Sequence, residues 1–130
     1  MTVDQSPPLL RTIVAEAHRI SAQKGFWDEH GNRDIYEALC LIHTEVSEAV
    51  EALQGGNSNL FLEELADIVI RVFDLAGGIY GLDGGPELFE GAIMSKMMTN
   101  AKRSYSNRKN RYDRIAERQM PRTPQTKISR

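Results

Sequence analysis

The segment DIYEALCLIHTEVSEAVEALQ (residues 34–54), the turn GGNSN (55–59) and the segment LFLEELADIVIRVFDLAG (60–77) decide the fold of this chain. In both segments apolar residues recur every three or four positions, which predicts two amphipathic helices with buried stripes. The first stripe comprises Ile35, Leu39, Ile42, Val46, Ala49, Val50 and Leu53, and the second comprises Leu65, Ile68, Val69, Val72 and Ala76. Because the turn between them is short, the two helices are expected to pack antiparallel.

The flanking sequence predicts one further helix on each side. Residues 8–23 form the first helix, which Gly25 follows, and residues 86–102 form the fourth, which begins at Pro86. Asp34 and Glu37 match the pattern of a capping box at the start of the second helix. No segment alternates with the period of a strand, so we predict an all-α fold, an antiparallel four-helix bundle.

Charge is divided unevenly along the chain. Residues 1–101 hold six Lys/Arg against sixteen Asp/Glu, whereas residues 102–130 hold ten against two. An acidic body attracts cations, and a basic tail attracts phosphates or the acidic body of a neighbouring subunit. We therefore predict a helical domain at residues 1–105 and a basic C-terminal extension at residues 106–130 with a flexible end.

The composition excludes several classes of protein. No apolar run approaches the roughly 20 residues of a membrane span, and the first ten residues lack the blocks of a signal peptide. We therefore expect a cytoplasmic protein with no membrane partner. Cys40 is the only cysteine, which rules out an internal disulfide, and its apolar neighbours predict burial. The sequence has no Walker motif, no Gly-x-Gly-x-x-Gly and no Glu-x-x-His of a di-iron bundle.

Two pairs of carboxylates flank the predicted stripes. Glu45 and Glu48 lie one turn apart on the second predicted helix, and Glu64 and Asp67 repeat that spacing on the third. If the four acids converge, each pair of charges about 4 Å apart repels by roughly 4 kcal/mol at an effective dielectric of 20. Such a cluster needs a hard cation, Mg²⁺ or Mn²⁺, and Mg²⁺ commonly completes its shell with phosphate oxygens. The alternative is that the acids form solvated helix faces.

The same acids resemble a motif of the MazG-like family of all-α nucleoside triphosphate pyrophosphohydrolases, a family related to dimeric dUTPases and phosphoribosyl-ATP pyrophosphohydrolase. The family pattern is E-E-x-x-E, a spacer, then E-x-x-D. It is similar to TEVSE at residues 44–48, with Thr44 in place of the leading Glu, and to ELAD at residues 64–67. KGFWD at residues 24–28 is similar to the segment before the second helix in bacterial and phage members. KMMTNAKRSY at residues 96–105 resembles K-x-x-x-N-x-x-R-P-Y, without its proline.

The resemblance implies Mg²⁺-dependent hydrolysis of a ribo- or deoxyribonucleoside triphosphate to the monophosphate and pyrophosphate, with Mn²⁺ as a substitute metal. The catalytic and metal-binding residues that it implies are Glu45, Glu48, Glu64 and Asp67. The substrate-binding residues are Trp27, Lys96, Asn100 and Arg103. It also implies an oligomer, either a homodimer or a homotetramer.

Several of these residues have a structural alternative. Trp27 either stacks on a base or packs in the core, and Arg71 either contacts phosphate or pairs with Asp67 or Asp74. Lys96 and Arg103 are otherwise a solvated helix end, and Asn100 a helix cap. The alternative function is a non-catalytic helical binding or regulatory module whose basic tail binds nucleic acid. For the enzyme we expect no nucleic-acid partner.

Overall fold

The computed structural model describes residues 9–80, 84–103 and 105–119, and within these ranges it is helical with no strand. The helices are α1 (Leu10–Gln23), α2 (Ile35–Gln54), α3 (Ser58–Ile79), α4 (Gly85–Ala101) and α5 (Tyr105–Gln119). The prediction of an all-α fold is therefore confirmed. None of the described helices combines the length and the apolar character needed to cross a membrane.

Side-chain caps fix both helices of the central hairpin. The Asp34 carboxylate accepts a hydrogen bond from the Glu37 backbone N–H at 3.1 Å, as the capping pattern predicts. The Asn57 side chain accepts one from the Leu60 N–H at 3.0 Å, so α3 begins two residues before its predicted start. Gly56, in the turn between α2 and α3, has a φ of +71°, which a residue with a Cβ adopts only with strain. This turn lets α3 return along α2.

Helix α3 packs against both α1 and α2. Glu45 of α2 bonds to Arg71 of α3, and Glu48 lies near Glu64, so the two helices run antiparallel. His18 of α1 bonds to Asp74. Buried apolar side chains lie along these contacts; they are Val14, Trp27, Ala38, Ala49, Ala52 and Leu75.

The start of α4 joins this packing. The Arg11 guanidinium donates to the Glu90 carboxylate, with 2.9 Å between Nε and Oε1. The Phe73 and Phe89 rings meet edge to face, with their centroids 6.0 Å apart. The chain divides into two compact units, residues 1–93 and residues 94–130, so the division falls within α4. The sequence had placed the domain boundary at residue 105.

The second unit contains a helix that apolar periodicity does not predict. Helix α5 is rich in Arg, a good helix former, and has few apolar residues, so its apolar pattern is weak. Pro121 and Pro124, which indicated a flexible end, lie outside the described residues.

The buried face of α2 differs from the predicted stripe. Leu39, Val46, Val50 and Leu53 are between 43% and 62% exposed. Of the predicted stripe, Ala49 is buried, and Ile35 and Ile42 pack against the core. The other buried residues of α2 are Ala38, Glu45 and Ala52. Small alanine side chains let α3 approach closely, and the larger aliphatic residues face away from it. The prediction that Cys40 is buried was also wrong, because it lies on the exposed side of α2.

Candidate metal centre

Three of the four predicted carboxylates converge between α2 and α3. One carboxylate oxygen each from Glu45, Glu48 and Glu64 lies within 4.8 Å of the others. Oxygens on opposite sides of one Mg²⁺ are about 4.2 Å apart, since each bond is about 2.1 Å long. Small side-chain rotations would therefore place all three on one ion. An all-oxygen, anionic donor set is the kind that Mg²⁺ and Mn²⁺ prefer.

Glu64 is the member of this cluster whose pKa is raised and whose buried oxygen lacks a partner. Its Oε2 atom is buried and has no hydrogen-bond partner among the described residues. Burial raises the pKa of Glu64 above its ordinary value, and the charges of Glu48, Asp67 and Glu45 raise it further. A buried carboxylate oxygen without a donor is costly unless a cation or a proton satisfies it. This orphaned oxygen shows that the residues fit a bound cation.

Asp67 is near the cluster but not in its centre. It is exposed, and its oxygens are not among the three that meet the 4.8 Å spacing. Its charge nevertheless contributes to the raised pKa of Glu64. Asp67 therefore lies close enough to act on the cluster electrostatically, at the side that opens to solvent.

Glu45, the buried member of the cluster, is paired with an arginine. The Arg71 Nε donates to Glu45 Oε1 at 2.6 Å, and the two side chains are 36% and 9% exposed. The sequence offered phosphate contact or an ion pair with Asp67 or Asp74 for Arg71. The carboxylate that it pairs with is Glu45, and phosphate contact stays a prediction. Arg71 and Glu45 are on different helices, so spacing along α3 alone could not identify this partner.

Asp74, which the sequence offered only as a possible partner of Arg71, is a buried carboxylate that organises the wall beside the cluster. Asp74 is 5% exposed and accepts hydrogen bonds from four donors. They are His18 Nδ1 at 3.0 Å, Ser21 Oγ at 2.7 Å, Trp27 Nε1 at 2.8 Å and Arg33 Nη1 at 2.9 Å. On a helical wheel Asp74 lies on the face of α3 opposite the predicted apolar stripe. It is buried because α1 packs on that face.

Trp27 belongs to the core cluster. Its side chain packs with Ala38 and Leu75 and is 6% exposed. Its ring meets the His18 ring edge to face, with 4.8 Å between centroids. This is the core position that the sequence offered as the alternative to base stacking. The adjacent aromatic residue, Phe26, is the exposed one, at 52%.

A cavity of about 270 Å³ adjoins the cluster between α1, the connector before α2, and α3. Its charged lining includes Lys24, Arg33 and Arg71, with Asp67 and Asp74 on the same wall. Ile20, Phe26 and Ile70 supply an apolar side. Arg71 thus faces the cavity and also bonds to Glu45 of the carboxylate cluster.

The other predicted substrate-binding residues lie in the second unit. Lys96 and Asn100 are on the last turns of α4, and Arg103 follows the helix. Lys96 and Arg103 are exposed, and Asn100 is half-buried. Their role in binding substrate stays a prediction from the sequence.

No known protein family, curated protein or solved structure matches this chain. The resemblance to MazG-like enzymes therefore rests on the motifs at residues 24–28, 44–48, 64–67 and 96–105.

Proposed function

We propose that this chain is a Mg²⁺-dependent nucleoside triphosphate pyrophosphohydrolase of the MazG-like type, built as an antiparallel four-helix bundle and located in the cytoplasm. The observation that carries the proposal is the convergence of Glu45, Glu48 and Glu64 from two helices, with one oxygen of Glu64 buried and unpaired. Three carboxylates at this spacing, with only Glu45 paired to an arginine, favour a cation. A hard cation with water in its shell binds phosphate oxygens.

The residues have distinct roles in this proposal. Glu45, Glu48 and Glu64 hold the cation, and Asp67 completes the set from the exposed side. A cation held there would supply positive charge for the phosphate oxygens and would make a water easier to deprotonate. One of the glutamates accepts the proton of the attacking water as the bond between the α- and β-phosphates breaks. The products are a nucleoside monophosphate and pyrophosphate.

The motif resemblance supplies the remaining substrate contacts. Lys96 and Arg103 would neutralise phosphate charge, the first as a point charge and the second as a planar fork. Asn100 would bond to the sugar or a phosphate. Mn²⁺ is expected to replace Mg²⁺, since both accept an all-oxygen set of ligands.

A homodimer or homotetramer is part of the same proposal. Four aliphatic residues of α2 form one exposed stripe, which comprises Leu39, Val46, Val50 and Leu53. On α3 a second exposed stripe comprises Leu62, Leu65 and Val69. Aliphatic surface of this extent on two neighbouring helices is typical of a surface that another copy covers.

The test of the function is a product analysis with a panel of ribo- and deoxyribonucleoside triphosphates. We expect equal amounts of monophosphate and pyrophosphate to form when Mg²⁺ or Mn²⁺ is present, and neither product with a chelator. Release of single phosphate with formation of a diphosphate would contradict the proposed bond cleavage. The panel also identifies the preferred base and sugar.

One observation favours the alternative function. Arg111, Arg114 and Arg118 line one open groove of α5 together with Ile115, as residues three, four and seven positions apart do on a helix. A helix with this row of arginines suits a phosphate backbone. Tight DNA or RNA binding that weakens steeply with salt, without nucleotide hydrolysis, would support a binding module over the enzyme.

A further inference from the structure

Three cationic side chains, Lys24, Arg33 and Arg71, line the cavity beside the carboxylate cluster. They differ in how far their charge is already paired with a carboxylate. Arg33 is 11% exposed and bonds to Asp74 at 2.9 Å, so the buried carboxylate already engages its charge. Lys24 is exposed and has no carboxylate within ion-pair distance in the described part of the chain. Arg71 uses only its Nε atom on Glu45. The cavity therefore offers an anion Lys24 directly, and the whole guanidinium of Arg71 only when its bond to Glu45 breaks.

Arg71 links this cavity to the carboxylate cluster. A cation that binds Glu45 competes with the Arg71 guanidinium for the same carboxylate. An anion in the cavity competes with Glu45 for Arg71. Cation binding at Glu45 frees Arg71 for the anion, and anion binding at Arg71 frees Glu45 for the cation. Linkage requires each ligand to change the affinity for the other by the same factor.

The cavity also offers an apolar surface. Phe26 is 52% exposed, and the Arg33 guanidinium carbon lies 5.4 Å from its ring centroid. Ile20 and Ile70 continue the apolar side. The volume is about 270 Å³, just below the range of drug-sized pockets, and the cavity is open to solvent on one side. Its chemistry matches an aromatic anion.

We propose that this cavity binds a nucleoside monophosphate group through Lys24 and Arg71, with the base against Phe26, and that Arg71 couples its occupancy to cation binding at Glu45. The proposal rests on the proposed function, because it takes the anion to be part of the nucleotide. In the metal-free protein Arg71 neutralises Glu45. When a cation takes that place, Arg71 is released to the phosphate.

Mn²⁺ binding to the full chain, measured by calorimetry with and without dAMP, dCMP, dGMP or dTMP, tests the coupling. We expect at least one monophosphate to tighten Mn²⁺ binding by a factor on the order of 5 to 100. Arg71→Gln should bind Mn²⁺ more tightly than the wild type when no nucleotide is present, and should lose the enhancement. An equal enhancement in Arg71→Gln, or none in the wild type, would overturn the proposal.

Three variants separate coupling from a structural effect. Lys24→Ala should weaken monophosphate binding severalfold but leave Mn²⁺ affinity without nucleotide unchanged. Arg19→Gln, which breaks an exposed pair with Glu16 on α1, should change neither quantity. If Arg71→Gln does not fold, Arg71→Lys replaces it, since lysine keeps the charge but lacks the planar guanidinium. A coupling in Arg71→Lys as strong as in the wild type contradicts the proposal.

The same measurements distinguish this proposal from the proposed function. If the wild type binds Mn²⁺ and Glu48→Gln does not, the metal centre stands whatever the nucleotides do. The coupling alone then fails if no monophosphate changes the Mn²⁺ affinity. If the wild type does not bind Mn²⁺, both proposals fail.

Discussion

Trp27 Nε1 donates a hydrogen bond of 2.8 Å to Asp74 Oδ1, which ties the connector before α2 to the second half of α3. His18 and Ser21 of α1 donate to the same carboxylate, and so does Arg33. One buried anion therefore holds three segments together. The wall of the cavity beside the carboxylate cluster depends on it.

Asp74→Ala should lower the free energy of unfolding by about 3–5 kcal/mol, since it leaves the Arg33 charge buried without its partner. Urea unfolding measures the change. Glu16→Ala is the control, because it breaks the exposed pair with Arg19 and should leave stability almost unchanged. A loss for Asp74→Ala no larger than that of the control would show that the network contributes little.

Gly78→Ala should destabilise the protein by about 1–3 kcal/mol through overpacking. A Cβ at Gly78 would clash with Cζ2 of Trp27 and Cε1 of His18, and both rings are held by hydrogen bonds to Asp74. Gly91→Ala is the matched control, because its Cβ would meet no atom within 4 Å in α4. That change should stabilise the helix by up to about 1 kcal/mol. Thermal unfolding of both variants should shift in opposite directions.

The raised pKa of Glu64 makes stability without metal depend on pH. Because the pKa is raised, folding favours the protonated form relative to the unfolded chain, so the contribution of Glu64 is fully present below its unfolded pKa. That contribution is lost as the pH rises through the folded pKa. Glu64→Gln should therefore melt at a higher temperature than the wild type at neutral pH, and the gap should close in acid.

A divalent cation should reverse this difference. Mg²⁺ is expected to raise the melting temperature of the wild type at neutral pH and to leave Glu64→Gln nearly unchanged. Glu63→Gln, an exposed neighbour, is the control and should respond to Mg²⁺ as the wild type does. If Glu64→Gln is less stable than the wild type without metal at neutral pH, the repulsive cluster is not present in solution.

The exposed stripe on α2 predicts self-association. The wild type should have a solution mass of at least twice the 14.6 kDa of the chain. Val46→Glu and Val50→Lys should each lower that mass, because a charge in an apolar interface is costly. Leu9→Lys, at an exposed position before α1, should leave it unchanged. A wild type that sediments as a monomer at micromolar concentration would contradict this prediction.

Local signals in the sequence predicted the first four helices well, and α5 was not predicted. The cap at Asp34 and the end of α2 at Gln54 agree with the structure. The glycine-rich turn and the spacing of the acids also predicted that α2 and α3 bring carboxylates together, and three of the four converge. These features depend on neighbours a few positions apart, which periodicity and capping rules describe.

The errors arose where burial depends on a distant partner. The stripe at Leu39 and Val46 was predicted to be buried, but α3 packs on the alanine face of α2 instead. Asp74 is buried only because α1 covers a second face of α3, and a single stripe cannot predict two buried faces. Arg71 likewise found its partner, Glu45, on another helix.

The most direct test of the proposed activity is Mg²⁺-dependent pyrophosphate release by the wild type, Glu48→Gln and Glu51→Gln. Glu48 and Glu51 are both exposed on α2, three residues apart, and only Glu48 belongs to the cluster. Glu48→Gln should lower kcat/KM by about 100-fold or more, equivalent to about 2.7 kcal/mol of lost transition-state stabilisation. Glu51→Gln should match the wild type. Full turnover by Glu48→Gln would contradict the metal-centred account.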